Sequence, residues 1–187
     1  MAQAAEKSHF SQEEYLAWEA DQQERYEYLA GELFCMVGVR QSHAIVAGNI
    51  FSELHQQLKG KPCRPFISDM KLKIDAAEAF CYPDIMVSCD ERDKQAELYL
   101  EHPSLIIEIL SESTASYDMG MKFEYYRLIP ELKEYVLVDP ERGKIWLYRK
   151  NQANEWVLHD FPNSEEVVFE SIACRLKQAD IFEGVAS

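Results

Sequence analysis

The stretch Leu105-Ile106-Ile107-Glu108-Ile109-Leu110 decides how this chain is read, together with Cys81-Tyr82-Pro83-Asp84-Ile85-Met86-Val87 ahead of it. Short apolar runs of this kind read as central strands. A carboxylate that interrupts or edges such a run is costly to bury without a partner. Asp84 and Glu108 on neighbouring strands therefore suggest a divalent-metal site, and a metal site between strands suggests a hydrolase.

Working outward, Ser11-Gln12-Glu13-Glu14 is a capping box that starts a short helix with Tyr15, Leu16 and Trp18 near its apolar side. Residues 25–37 read as two strands meeting at a tight turn at Ala30-Gly31. From about Ser42 to Leu58, Val46, Ile50, Leu54 and Leu58 recur every four residues, which predicts a helix ended by Lys59-Gly60-Lys61-Pro62. Strands are expected at 63–67 and 70–74, the second with a basic face, Lys71 and Lys73, that is a candidate DNA-facing surface. The segment 89–102 is charged and expected to be partly helical. Ser116 is read as capping a helix to about Leu128, closed by Pro130. Strands follow at 135–140 and 144–149, with further strands at 156–159 and 167–169, and a last short helix carries Leu176, Ile181 and Phe182. The expectation is a single domain over 1–187 with a loose tail at about 1–10, built as a mixed α/β sheet flanked by helices.

With 187 residues the chain can bury roughly 70% of its unfolded surface. Its formal charge is −14, from 33 acidic and 19 basic side chains. That balance argues against tight non-specific binding to nucleic acid, which needs a basic surface to release counterions. A nuclease remains compatible with it, because a local basic patch and bound cations can meet the phosphates. The five cysteines, Cys35, Cys63, Cys81, Cys89 and Cys174, contain no Cys-x-x-Cys pair and read as buried free thiols of a reducing cytoplasm. The polar start of the chain and the lack of a long apolar stretch point to a cytoplasmic protein with no membrane association.

Phosphodiester cleavage needs charge on the phosphate offset, water deprotonated near neutral pH, and the leaving oxygen stabilised. Mg²⁺ held by carboxylates helps with all three, with Mn²⁺ as a substitute. Asp84 and Glu108 supply oxygens, and the Ile109 carbonyl supplies a third if it points inward. Lys122 is the basic candidate, sharing a helix face with Asp118 four residues earlier and with Tyr126 one turn on. A base role for Lys122 would require a depressed pKa. Each residue also has a plainer reading: Pro83-Asp84 as a turn, Asp118–Lys122 as a surface ion pair, Tyr126 as packing. His43, in the first turn of the long helix, could reach a ligand or simply be exposed, and Glu32, after the turn glycine, could approach the metal or be solvated.

Several of these segments together resemble a large bacterial family, abundant in cyanobacteria, of restriction-endonuclease-like and uncharacterised proteins in the PD-(D/E)XK nuclease superfamily. They are Tyr26-Glu27-Tyr28-Leu29-Ala30-Gly31-Glu32-Leu33, His43, Tyr82-Pro83-Asp84-Ile85, Ile107 to Thr114, Asp118 to Tyr126 and Lys133 to Pro140, in order across about residues 25–150. In that superfamily the acidic residue of the second strand is followed two positions later by lysine. Here Leu110 stands in that place, and the family is thought to have moved the lysine to the next helix, here Lys122. The resemblance implies a restriction-endonuclease-like core, a divalent metal, DNA as substrate and a homodimer. The alternatives are a non-catalytic DNA-binding or regulatory protein on the same fold, and a protein-interaction domain with ordinary buried ion pairs.

Overall fold

The computed structural model describes residues 9–36, 38–112, 114–161 and 166–185. Six strands form the central sheet, in the order β11 (Trp156–Asp160), β10 (Lys144–Lys150), β9 (Glu134–Asp139), β8 (Pro103–Ile109), β6 (Ile85–Ser88) and β3 (Arg64–Ile67). Only β8 and β9 run parallel; the other pairs are antiparallel, so the sheet is mixed. β8 and β9 are buried along their whole length, as expected for largely apolar central strands, with Glu108 inside one and Glu134 and Asp139 at the ends of the other.

Alternate residues of β8 serve two cores. Leu105, Ile107 and Ile109 pack under α2 (Gln41–Leu58) with Val46, Ile50 and Leu54. Ile106 and Leu110 face the other way, towards Tyr126, Tyr135 and a second sheet. That second sheet has the order β2 (Glu32–Cys35), β1 (Tyr26–Leu29), β5 (Ala79–Cys81), β4 (Lys71–Ile74) and β7 (Tyr99–Leu100). Helix α1 (Gln12–Glu19), opened by the expected Ser11–Glu14 capping box, sets Tyr15 against Tyr28 and Phe80. At the β1–β2 turn Ala30 and Gly31 both take positive φ, and a Cβ on Gly31 would lie 2.0 Å from the His9 ring, so only glycine fits there.

Three readings are corrected. The run Cys81–Val87 is not one strand: β5 ends at Cys81 and β6 begins at Ile85, in different sheets, because Pro83 offers no N–H to a central ladder. Leu176 lies in β13 (Cys174–Lys177), which forms a separate ribbon with β12 (Glu166–Phe169); α5 is confined to Gln178–Ile181. Cys174 and Leu176 are buried and Arg175 and Lys177 exposed, the two-residue period of a strand. Cys63 and Cys89 form a disulfide, while Cys35 is a free, exposed thiol and Cys81 and Cys174 are free and buried. The pairing follows from register: Arg64 lies opposite Ser88, so the next pair outward on β3 and β6 is Cys63 and Cys89. The tail expected over about 1–10 falls outside the described residues up to position 8, but Phe10 is buried and its N–H donates to the Gly31 carbonyl at 2.9 Å.

The helix expected from Ser116 is an arm of three parts: α3 (Ala115–Tyr117), a π-helical turn over Asp118–Lys122, and α4 (Phe123–Tyr126). Widening of the helix at Asp118–Lys122 turns both residues inward, where they are buried.

A carboxylate cluster closed on one ammonium

The candidate site lies where Tyr82-Pro83-Asp84 crosses from one sheet to the other. Ile85 pairs with Ile107, so the next pair along sets Asp84 opposite Glu108. The Asp84 N–H donates to Glu108 Oε2 at 3.2 Å, and the Ile109 N–H donates to Asp84 Oδ2 at 2.7 Å. The Asp84 carbonyl accepts from the Ser68 N–H at 2.9 Å, at the end of β3. His43, reaching from the first turn of α2, places Nε2 3.1 Å from Asp84 Oδ2. Asp84 keeps a side-chain exposure of 20%, against 3% for Glu108, so it stands at the mouth of the cluster and Glu108 at its floor.

Lys122 closes the cluster from the helical arm. Its Nζ lies 3.1 Å from Glu108 Oε1, 3.2 Å from Glu27 Oε1 and 3.5 Å from Asp118 Oδ1, each partner nearly inaccessible. Tyr126 donates its hydroxyl to Glu108 Oε1 at 2.7 Å, and the Tyr117 ring sits 5.6 Å from the ammonium. The Tyr117 hydroxyl is itself buried and has no hydrogen-bond partner among the described residues. The ammonium has three protons and three carboxylate neighbours. Burial alone would push the Lys122 pKa down by disfavouring its charged form, but Glu108, Glu27 and Asp118 more than reverse that, and its pKa stands well above the ordinary lysine value. Glu108 is pushed upward by burial, with Asp84 and Asp118 adding to it against the pull of Lys122 and Tyr126. Burial raises Asp118 as well. Negative charge in the cluster thus exceeds what one ammonium balances.

The oxygen donors fit a hard divalent cation, because such an ion would offset that excess. Among the described residues no group of three or more His, Cys, Asp or Glu side chains is arranged to hold a metal ion. A cation here would take the two carboxylates of Asp84 and Glu108 with backbone or solvent oxygens, the usual manner for Mg²⁺. The Ile109 carbonyl points to the same strand edge as its N–H, and Pro83, next in register, has no N–H to claim it.

Asp84, Glu108, Lys122, Asp118, His43 and Tyr126 are therefore brought together. Glu32 is not: it is exposed at the start of β2, opposite Leu29, and among the described residues makes no ion pair with the cluster. The glutamate that enters is Glu27, five residues earlier, which also accepts the Tyr82 N–H at 3.1 Å. Its strand, β1, lies between β2 and β5 and is largely buried, which the sequence around Glu27 does not distinguish from that around Glu32. Lys71 and Lys73 do not form a DNA-facing surface. Lys71 pairs with buried Glu19 at 2.7 Å, and Glu19 also accepts the Tyr82 hydroxyl. Lys73 pairs with Asp75 at 2.7 Å and lies over the Tyr99 ring.

The family model described as "Uma2: Putative restriction endonuclease" matches residues 12–176. "Uncharacterized protein slr1290" of Synechocystis sp. (strain ATCC 27184 / PCC 6803 / Kazusa) is 34% identical over 176 residues, 94% of this chain and 93% of its own. "Uncharacterized protein sll1609" of the same organism is 34% identical over 147 residues, 78% of this chain and 83% of its own. The crystal structure of "a putative nuclease belonging to DUF820" from Anabaena variabilis ATCC 29413 matches 95% of this chain and 99% of its own with a TM-score of 0.72 at 19% identity, a likeness of fold.

Proposed function

The chain belongs to the Uma2 family of restriction-endonuclease-like proteins, and from that premise we propose that it is a Mg²⁺-dependent endonuclease hydrolysing DNA phosphodiester bonds. One observation carries the proposal: Glu108, buried inside β8, is hydrogen-bonded to the Asp84 backbone and lies 3.1 Å from the Lys122 ammonium. A bound divalent ion would offset phosphate charge and acidify a water molecule. Asp84 and Glu108, with the Ile109 carbonyl, are the residues that would hold it. His43 and the Ile109 N–H both hold Asp84 Oδ2 and so orient the Asp84 carboxylate. Tyr126 fixes Glu108 in one rotamer through its hydroxyl. Lys122 stays cationic, so its role is a fixed positive charge beside the scissile phosphate and not a general base. Asp118 holds that charge in place from the adjoining turn.

Cutting both strands of a duplex takes two such sites, and a homodimer is proposed for that reason. The formal charge of −14 makes the cation essential to any approach by DNA. The test is purified protein with supercoiled plasmid and Mg²⁺ or Mn²⁺. Nicking that disappears in Asp84→Ala, in Lys122→Ala and with chelator is expected; metal-independent nicking, or nicking that survives Asp84→Ala, refutes the assignment. A second reading, a DNA-binding protein without chemistry on the same fold, is favoured by the three carboxylates that lie within 3.5 Å of the buried Lys122 ammonium. It predicts a plasmid mobility shift with no nicked product.

A further inference from the structure

Arg40 stands beside the mouth of the cluster. It precedes the first turn of α2, three residues before His43, whose ring touches Asp84. Its guanidinium donates from Nη2 to Glu112 and from Nη1 to Glu141, each at 2.6 Å. Glu112 follows β8 and Glu141 follows β9, and these parallel neighbours end at the edge of the sheet where Asp84 and Glu108 lie. Arg40 is thus a cation set at the edge where the cluster opens.

Its contacts can be exchanged. The Arg40 side chain is 61% exposed, Glu112 69% and Glu141 50%. Ion pairs this open are screened by water and salt and contribute little to stability. A phosphodiester offers a guanidinium two charged oxygens, and the planar fork matches them as it matches a carboxylate. In a chain of formal charge −14, a phosphate nearing Asp84 would meet Glu112 and Glu141 unmasked if Arg40 were absent.

We propose that Arg40 is a DNA-binding residue, which exchanges Glu112 and Glu141 for a backbone phosphate flanking the scissile one and so seats the strand over Asp84. The inference rests on the reading of DNA as substrate above. It gives Arg40 no part in the chemistry.

The experiment is the salt dependence of binding to a short labelled duplex, read by fluorescence anisotropy at constant Mg²⁺ before nicked product accumulates. Arg40→Ala is expected to reduce the steepness of log affinity against log salt by about 0.9, the contribution of one phosphate contact on B-DNA. Arg40→Lys keeps the charge and loses the fork, so it should keep the steepness and bind more weakly. The control is Arg175→Ala, which also takes an exposed arginine from a glutamate, Glu166, but beside Gln57 at the other end of α2; it should bind as the parent does. Unchanged steepness in Arg40→Ala means no phosphate contact. An equal fall in Arg175→Ala means an effect of net charge alone, and an equal fall in Arg40→Lys means a structural role. Each of these overturns the proposal. The parent separates the two levels. A parent that binds with the Arg40 contribution and never nicks loses the chemistry and keeps the contact, whereas one that nicks while Arg40→Ala retains its steepness loses only the contact. A parent that does not bind the duplex loses both.

Discussion

Replacing Lys122 by methionine keeps an apolar stem of the lysine's length up to Cε and removes the ammonium that sits among Glu27, Glu108 and Asp118. None of the four side chains exceeds 8% exposure, so water cannot replace the lost charge without opening the fold. Removing one partner of a buried ion pair costs about 3–5 kcal/mol. In a domain of this size each kcal/mol moves the midpoint by about 2–4 °C, so the expected fall in Tm is about 6–20 °C. Proton uptake offsets part of it, because burial already raises Glu108 and Asp118. A carboxyl whose folded pKa lies above its unfolded value holds more protons in the folded state, so stability is lost as pH rises from the ordinary carboxylate range towards that folded value. The deficit should therefore be larger at pH 8 than at pH 5. Circular dichroism melts in chelator, at both pH values, test this. The control is Arg40→Ala, which removes a guanidinium 61% exposed from Glu112 and Glu141 and should leave Tm unchanged. A Lys122→Met midpoint within about 2 °C of the parent at pH 8 would refute the reasoning, since no buried-charge cost on the expected scale would then exist.

Four further outcomes follow from other contacts. Tyr126→Phe removes only the hydroxyl that donates to Glu108 and should cost about 1.5–3 kcal/mol in chemical denaturation. Glu134→Ala strips the acceptor of the Arg149 Nε–H at 2.8 Å and of the Glu170 and Ser171 N–H groups, far from the cluster; a loss of about 3–5 kcal/mol with unchanged Mn²⁺ affinity is expected. Thiol titration of the native, unreduced protein should find Cys35 reactive, with Cys81 and Cys174 appearing on denaturation and Cys63 and Cys89 only after reduction. Cys63→Ser should cost about 3–4 kcal/mol in oxidised protein, the loop-closure value for a separation of 26 residues.

What could be read from the chain was set by burial patterns that are local. Glu108 is legible because a charge inside an apolar run has few explanations, and α2 is legible because Val46, Ile50, Leu54 and Leu58 keep one face. Lys122 and Asp118 were legible as a pair and ambiguous as to side; their inward turn is a property of the π-helical stretch, and four-residue spacing fits an exposed pair equally well. Glu27 and Glu32 sit in one hairpin with like surroundings in sequence. What separates them is that β1 lies between β2 and β5 while β2 is an edge, a matter of strand order. The same holds for Cys63 and Cys89, whose meeting depends on the β3–β6 register, and for the break at Pro83, where one apolar run serves two sheets. β13 was misread because Cys174–Lys177 is too short for its period to stand out from a helical one.

The crossover at Tyr82-Pro83-Asp84 joins the two sheets through three residues, and Glu27 and Glu19 grip Tyr82 from the N-terminal side. Fluctuations that peel the β1–β2 hairpin away therefore disassemble the cluster even while the six-stranded sheet stays whole. In amide hydrogen exchange, the Tyr82 amide, held by Glu27, should exchange at the rate of the hairpin, slower than its frayed tip at Ala30 and faster than β8. How often the cluster is complete is then governed by the opening frequency of an element that contributes a single side chain to it.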